Sequence, residues 1–166
     1  MIAGNAAIAQ RIADDPTLQG MGTTLTATLF GGSRYCLLNI GDSRTYLLRD
    51  GALEQLTRDD SYVQLLIDQG HISREAAGTH PQRNLVLQAL TGEEVMEPAM
   101  TVREAHAGDR FMLCSDGLTD VVADAALAET LAAEEPQESV DRLIALALEA
   151  GTRDNVTVIV ADVLER

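Results

Sequence analysis

Lysine is absent from this sequence, and so is tryptophan; three tyrosines and two phenylalanines are its only large aromatics. Without lysine there is no catalytic lysine side chain and no nucleotide loop of the G-x-x-x-x-G-K type. With so few aromatics, the core must come from Leu, Val, Ile and Ala, which the 46% apolar content supplies. No apolar run approaches the roughly 20 residues of a membrane span. The opening residues, MIAGNAAIAQRIADD, lack the long apolar block of a secretory leader, so a cytoplasmic location is the default expectation. Cysteine occurs only at Cys36 and Cys114, both in apolar segments. That setting favours buried thiols over a disulfide.

Positive charge is also scarce. Twelve basic side chains, all arginine, face 26 acids, for a formal net charge of −14. Such a chain repels phosphate backbones, which argues against nucleic acid as a partner. Most of the acidity is accounted for by a solvated surface. The sharper reading is that some acids are clustered to hold divalent cations.

The pattern along the chain gives an element order. A weakly helical stretch at 1–13 is stopped by Asp14-Asp15-Pro16. TTLTATLF (23–30) and RYCLLNI (34–40) alternate as strands and are joined by GGS, which predicts a hairpin. RTYLLR (44–49) and ALEQLT (52–57) flank Asp50-Gly51, a second hairpin signal. Residues 61–84 hold a short amphipathic helix, a stop at Gly70 and an irregular polar stretch. Strand patterns resume at 85–90, 100–105 and 110–115, with turns read at 91–94 and 107–109. Helical periodicity marks 123–133 and 137–150, and 155–163 reads as a final, central strand. Strands followed by helices and a last strand predict an α+β sandwich of antiparallel sheet with packed helices.

Four acids occupy strand ends in this scheme: Asp59 after 52–57, Asp116 and Asp120 after 110–115, and Asp154 before 155–163. Carboxylates without His or Cys neighbours select hard ions such as Mg²⁺ or Mn²⁺. Each acid also has a plain local reading. Asp116-Gly117 is a common turn dipeptide, Asp120 can cap the following helix, and Asp154-Asn155 suits a loop before a strand.

Six segments in order carry a resemblance: GMGTTLTATLF, NIGDSRTYLLRDG, LTRDD, HPQRN with ALTG, GDRFMLCSDGLTD and RDNVTVIVADV. Together they resemble the PPM/PP2C family of metal-dependent protein serine/threonine phosphatases, above all its small bacterial signalling members. The resemblance implies a PP2C-like sandwich of antiparallel β-sheets flanked by helices. It also implies hydrolysis of phosphoserine and phosphothreonine by a metal-activated water, with Mn²⁺ or Mg²⁺ at two central sites and a third, looser one. Asp116 and Asp154 match central ligands, and Asp59 and Asp120 match the third site. His80 and Arg83 fall in the segment corresponding to the family's flap, where an arginine can meet a phosphate; a solvated loop is the plain alternative. Gly41, Asp42 and Ser43 are read as a structural turn behind the ligands, and Gly117 and Asn155 as structural neighbours of Asp116 and Asp154. The implied partners are phosphorylated proteins, among them Ser/Thr kinases and their substrates. The chain has no Cys-x₅-Arg and no D-x-D-x-[TV] motif, so a covalent phospho-enzyme is not expected.

Two motifs of that family are missing. Neither an R-x-x-N-E-D-type nor a D-G-M-G-G-type motif occurs, and QGMGTT at 19–24 has Gln where a metal-bridging Asp would stand. Residues 1–166 are therefore expected to form one partial phosphatase domain, N-terminally truncated, with a flap-like excursion at about 60–84 and impaired activity. Two other readings stand beside it. One is a pseudophosphatase that binds a kinase or phosphoprotein without hydrolysis. The other is a simple cation-binding structural domain, against which the lack of an EF-hand spacing counts.

Overall fold

The computed structural model describes residues 1–93, 98, 100–133 and 135–165. Helix α1 (Ile2–Asp14) ends where Asp15 turns extended, and the Asp15 carboxylate accepts from the backbone N–H of Thr17 to start a single 3-10 turn at Pro16–Leu18. This is the stop that Asp-Asp-Pro encodes. Strands β1 (Leu25–Gly31) and β2 (Arg34–Ile40) form the first hairpin, and β3 (Arg44–Arg49) and β4 (Ala52–Gln55) the second. The turn of the second hairpin has positive φ at both Asp50 and Gly51, as the dipeptide predicts. Helices α2 (Tyr62–Asp68) and α3 (Arg74–Ala77) are each capped by a serine side chain, Ser61 and Ser73. Then follow β5 (Thr101–Glu104), β6 (Arg110–Cys114), α4 (Asp116–Thr119), α5 (Asp124–Ala133), α6 (Pro136–Glu149) and β7 (Val158–Asp162).

Among the described residues the strands form two wholly antiparallel sheets, ordered β1-β2-β5 and β4-β3-β6-β7. Strand alternation feeds two cores. Leu47 and Phe111 point to the three-stranded sheet and meet Tyr35 and Leu37. The scarce aromatics are concentrated there: Phe111 stacks edge-on with Tyr35 at 4.8 Å and with Phe30 at 5.1 Å. The next residues along, Tyr46 and Met112, point the other way, against Leu118, Leu127, Leu131 and Leu143 of α4, α5 and α6. Each fully buried leucine there contributes about 1.5–3 kcal/mol. The predicted α+β sandwich, with 123–133 and 137–150 packed on one sheet, is the fold observed.

One predicted strand does not form. Residues 85–90 make only isolated bridges, Val86 with Ser61 and Leu90 with Thr23. Their backbone groups bond two separate loops: Leu87 N–H donates to Asp60, Tyr62 N–H to Leu85, and Leu90 exchanges both bonds with Thr23. The alternation of LVLQAL therefore buries Leu90 but leaves Leu85 and Leu87 exposed. The turn read at 91–94 lies partly outside the described residues. No helix among the described residues is long and apolar enough to cross a membrane.

Candidate metal centre

The antiparallel order of the four-stranded sheet brings chain-distant segments to one end. Arg44 pairs with Cys114, and Cys114 with Val158. The start of β3, the end of β6 and the start of β7 therefore lie side by side. The turn 41–43 enters β3 there, Asp116 opens α4 there, and Asp154 precedes β7 there. Ser115 ties the last two together. Its N–H donates to Thr157 O, its hydroxyl donates to Asn155 O at 3.2 Å and accepts from Thr157 N–H at 3.0 Å. Thr152 adds a hydroxyl bond to the Gly117 carbonyl at 2.9 Å.

The turn carrying Asp42 is pinned from both sides. Gly41 N–H donates to the Asp60 carboxylate at 3.0 Å, and Asp60 N–H donates to Gly41 O at 2.9 Å. Gly41 has φ +100°, and a Cβ there would meet Thr24 Cγ2 at 2.4 Å, so only glycine makes this turn. Ser43 shares a 2.8 Å hydroxyl bond with Thr24. The turn is structural, as its sequence suggests, and it also delivers Asp42 into the acid cluster.

Electrostatics show the convergence. Burial pushes the Asp42 carboxyl up to about 6, and the charge of Asp116 adds to this, with smaller contributions from Asp59 and Asp120. Asp116 is raised as well, first by burial and then by Asp120 and Asp154. Asp116 lines one cavity and Asp154 the adjoining one, with Asp120 lining both. Among the described residues no arginine or histidine pairs with Asp42, Asp116, Asp120 or Asp154. Asp42 and Asp116 are half-buried, whereas Asp120 and Asp154 are exposed; the two half-buried carboxylates, lacking a counter-charge, are costly unless a cation joins them. Hard oxygen donors fit Mg²⁺ or Mn²⁺ by class. Among the described residues, however, no three Asp, Glu, His or Cys side chains close on one point as a ready-made cage.

Asp59 stands differently. Arg44 grips it with Nε and Nη2, the closest contact being 2.7 Å, and Gln55 Nε2 donates to it at 3.1 Å. Its lone pairs are largely committed, and the residue is buried. Arg44 also donates to the Tyr46 hydroxyl, which reaches Asp124. Asp59 therefore braces the floor of a cavity of about 210 Å³ that Asp42, Asp116 and Asp120 also line. Arg83 lines this cavity and a second one of about 480 Å³ beside Asp154. His80 lines neither; its Nδ1 accepts from Gln82 N–H two residues on, and its ring lies near Tyr62. Burial pushes the Cys114 thiol up to about 12, so it is no nucleophile at neutral pH.

The sequence reading missed the place of Asp42 in the cluster. The signal was available in the hairpin register: a turn leading into β3 must sit at the sheet end where β6 stops. The Arg44–Asp59 pair spans 15 positions and had no local signature.

A profile of the protein phosphatase 2C family matches residues 3–154. The serine/threonine protein phosphatase PstP of Mycobacterium tuberculosis is 59% identical over 163 residues, 98% of this chain and 32% of that protein. The serine/threonine phosphatase stp of Listeria innocua is 40% identical over 146 residues, 87% of this chain and 58% of its own length. The chain thus spans about a third of the first relative and under two thirds of the second. A crystal structure of the PstP catalytic domain with two manganese ions superposes with a TM-score of 0.91 at 56% identity, covering 98% of this chain and 68% of that one. With the sandwich, the strand-end acids and these matches in agreement, the chain belongs to the protein phosphatase 2C family.

Proposed function

We propose that residues 1–166 form the larger part of the catalytic domain of a metal-dependent protein serine/threonine phosphatase, acting in the cytoplasm on phosphoproteins that include Ser/Thr kinases and their substrates. The observation that carries this reading is the convergence of Asp42, Asp116, Asp120 and Asp154 without a basic partner. Divalent ions bound there supply an acidified water as nucleophile and stabilise charge on the phosphoryl oxygens.

The chain's own residues take the following roles in this proposal. Asp116 and Asp154 hold the central cation site. Asp120 and Asp42 flank it, with Asp42 taking the part that the family resemblance implies for Asp59. Asp59, gripped by Arg44, keeps the cleft floor in place. Arg83, from the flap at about 60–84, faces the phosphate. Ser115 and Gly117 hold Asp116 against the segment that carries Asp154. A non-hydrolysing binding module has no use for four like-charged side chains gathered at one end of the sheet.

The test is Mn²⁺-dependent phosphate release from a phosphothreonine peptide. Turnover should require Mn²⁺ and should be lost in Asp116→Ala and Asp154→Ala. The 166-residue chain should turn over slowly, because the described carboxylates do not close on one ion. The rate should rise when a segment bearing the D-G-M-G-G-type motif is joined. Turnover indifferent to Asp154→Ala would overturn the assignment.

A further inference from the structure

Resting on the phosphatase reading, we infer that Arg153 is a specificity-determining residue that receives a second anionic group of the substrate, an acidic or phosphorylated residue close to the one being dephosphorylated. The inference starts from how the arginines are used. Arg44, Arg49, Arg58, Arg103, Arg110 and Arg142 each pair with a carboxylate. Among the described residues, Arg11, Arg34, Arg74, Arg83 and Arg153 form no ion pair. Three of those five line the two cavities around the acid cluster: Arg74 and Arg83 the smaller, Arg83 and Arg153 the larger.

Placement gives this its meaning. The larger cavity, about 480 Å³, lies between the flap residues Arg83 and Asn84 and the loop Thr152-Arg153-Asp154, with Asp120 on its wall. It adjoins the smaller cavity, since Arg83 and Asp120 line both. Arg83 and Arg153 therefore line one cavity together with Asp120 and Asp154. Arg153 neighbours Asp154 in the chain yet does not bond it. The Asp154 carboxylate instead accepts its own neighbour's N–H, that of Asn155, at 2.7 Å. The planar donor fork of Arg153 thus carries no ion pair, although acids outnumber bases 26 to 12 along the chain.

A peptide advances about 3.3–3.6 Å per residue. With its phosphoresidue at Asp116 and Asp154, the next one or two residues fall beside Arg153. A neutral flank leaves that guanidinium in water; an acidic or phosphorylated flank can take its fork in two parallel bonds. In a chain of net charge −14, such a local cation also offsets the repulsion of an anionic substrate.

The experiment is fluorescence anisotropy with labelled nine-residue peptides in Mn²⁺ buffer. One carries phosphothreonine with neutral flanks, one adds flanking Glu, one adds a flanking phosphoserine, and one has flanking Glu and unmodified Thr. The native chain should bind the anionic-flanked phosphopeptides about three- to tenfold more tightly than the neutral-flanked one, the yield of one exposed charge-assisted pair. Arg153→Ala should bring that ratio to about one, Arg153→Lys should keep part of it, and Arg153→Glu should invert it. Gain in the phosphoserine arm alone identifies phosphate as the second group; gain in both arms identifies negative charge generally. A preference unchanged in Arg153→Ala, or no preference in the native chain, overturns the assignment while leaving the phosphatase reading standing. Failure of every phosphothreonine peptide to outbind the unphosphorylated control overturns the phosphatase reading itself.

Discussion

Gly117 lies so close to Asn155 that a Cβ added to it would stand 2.4 Å from the Asn155 carbonyl oxygen and 3.1 Å from the carbonyl carbon. The obstacle is backbone, so it cannot rotate away. Gly117→Ala must push α4 from the segment leading into β7, and with it Asp116 from Asp154. The expected cost is about 1–3 kcal/mol of stability, together with loss of the thermal stabilisation given by Mn²⁺. Urea denaturation with and without Mn²⁺ measures both; an unshifted midpoint and an intact Mn²⁺ response would show that the contact is not needed.

A second prediction concerns acid stability away from the cleft. Burial pushes the Asp109 carboxyl up, but hydrogen bonds from Arg49 and from His106 N–H, and the charge of Arg49, more than offset this and hold it below its ordinary 3.8. A depressed folded-state value means that Asp109 stabilises the fold above about pH 3.8, and that this contribution is lost as pH falls through the lower folded value. Asp109→Asn should cost about 1.5–3 kcal/mol at pH 7. The gap between the two proteins should narrow as pH falls below 3.8. A gap independent of pH would mean that shape, not charge, holds this corner.

Local pattern carried some of this fold and not the rest. The β3–β4 hairpin was readable because Asp50-Gly51 is a local instruction, and α6 because its apolar face recurs every third or fourth residue and ends buried at Leu143 and Ala147. Residues 85–90 misled because alternation reports which side chains can share a face, not whether a neighbouring strand is there to pair. Asp116, Asp120 and Asp154 were singled out by their places at strand ends and by the family resemblance. Asp42 was passed over because turn residues satisfy local geometry and a distant cluster alike. The bond of Arg44 to Asp59 closes the open end of the β3–β4 hairpin, and it depends on the irregular path of the chain beyond Gln55, which strand alternation does not record.

The third prediction follows from the crowded charge at Asp42. Its folded value, about 6, lies above the ordinary 3.8, so the folded chain binds protons more readily than the unfolded one between those values. By linkage, Asp42 adds to stability below pH 3.8 and loses that contribution as pH rises through about 6. In chelator at pH 7, Asp42→Asn should therefore stabilise the chain, on the order of 1 kcal/mol after solvent screening. The same variant should weaken Mn²⁺ binding. In the native chain Mn²⁺ affinity should climb as pH rises through about 6. Calorimetric titration at pH 5 and pH 7.5 decides this; a flat affinity would remove Asp42 from the cation site.

The last prediction separates Asp59 from Asp42. If Asp59 is a brace, its value lies in the buried pair with Arg44, and that pair should be felt in stability rather than in metal binding. Breaking a buried pair by removing one charge costs about 3–5 kcal/mol, because the partner is left uncompensated. Asp59→Asn keeps the shape and one acceptor for Gln55 and Arg44, so the lower part of that range, about 3 kcal/mol, is expected. Arg44→Met leaves the Asp59 carboxylate with Gln55 as its remaining side-chain donor and should cost at least as much. Converting both residues to apolar partners of similar volume should recover part of the loss. Throughout, the Mn²⁺-induced rise in melting temperature should persist in Asp59→Asn, measured relative to that variant's own metal-free value, and should be lost in Asp42→Asn. The opposite outcome, with Asp59→Asn stable but blind to Mn²⁺, would mean that Arg44 releases Asp59 when a cation arrives, and would return Asp59 to the ligand set.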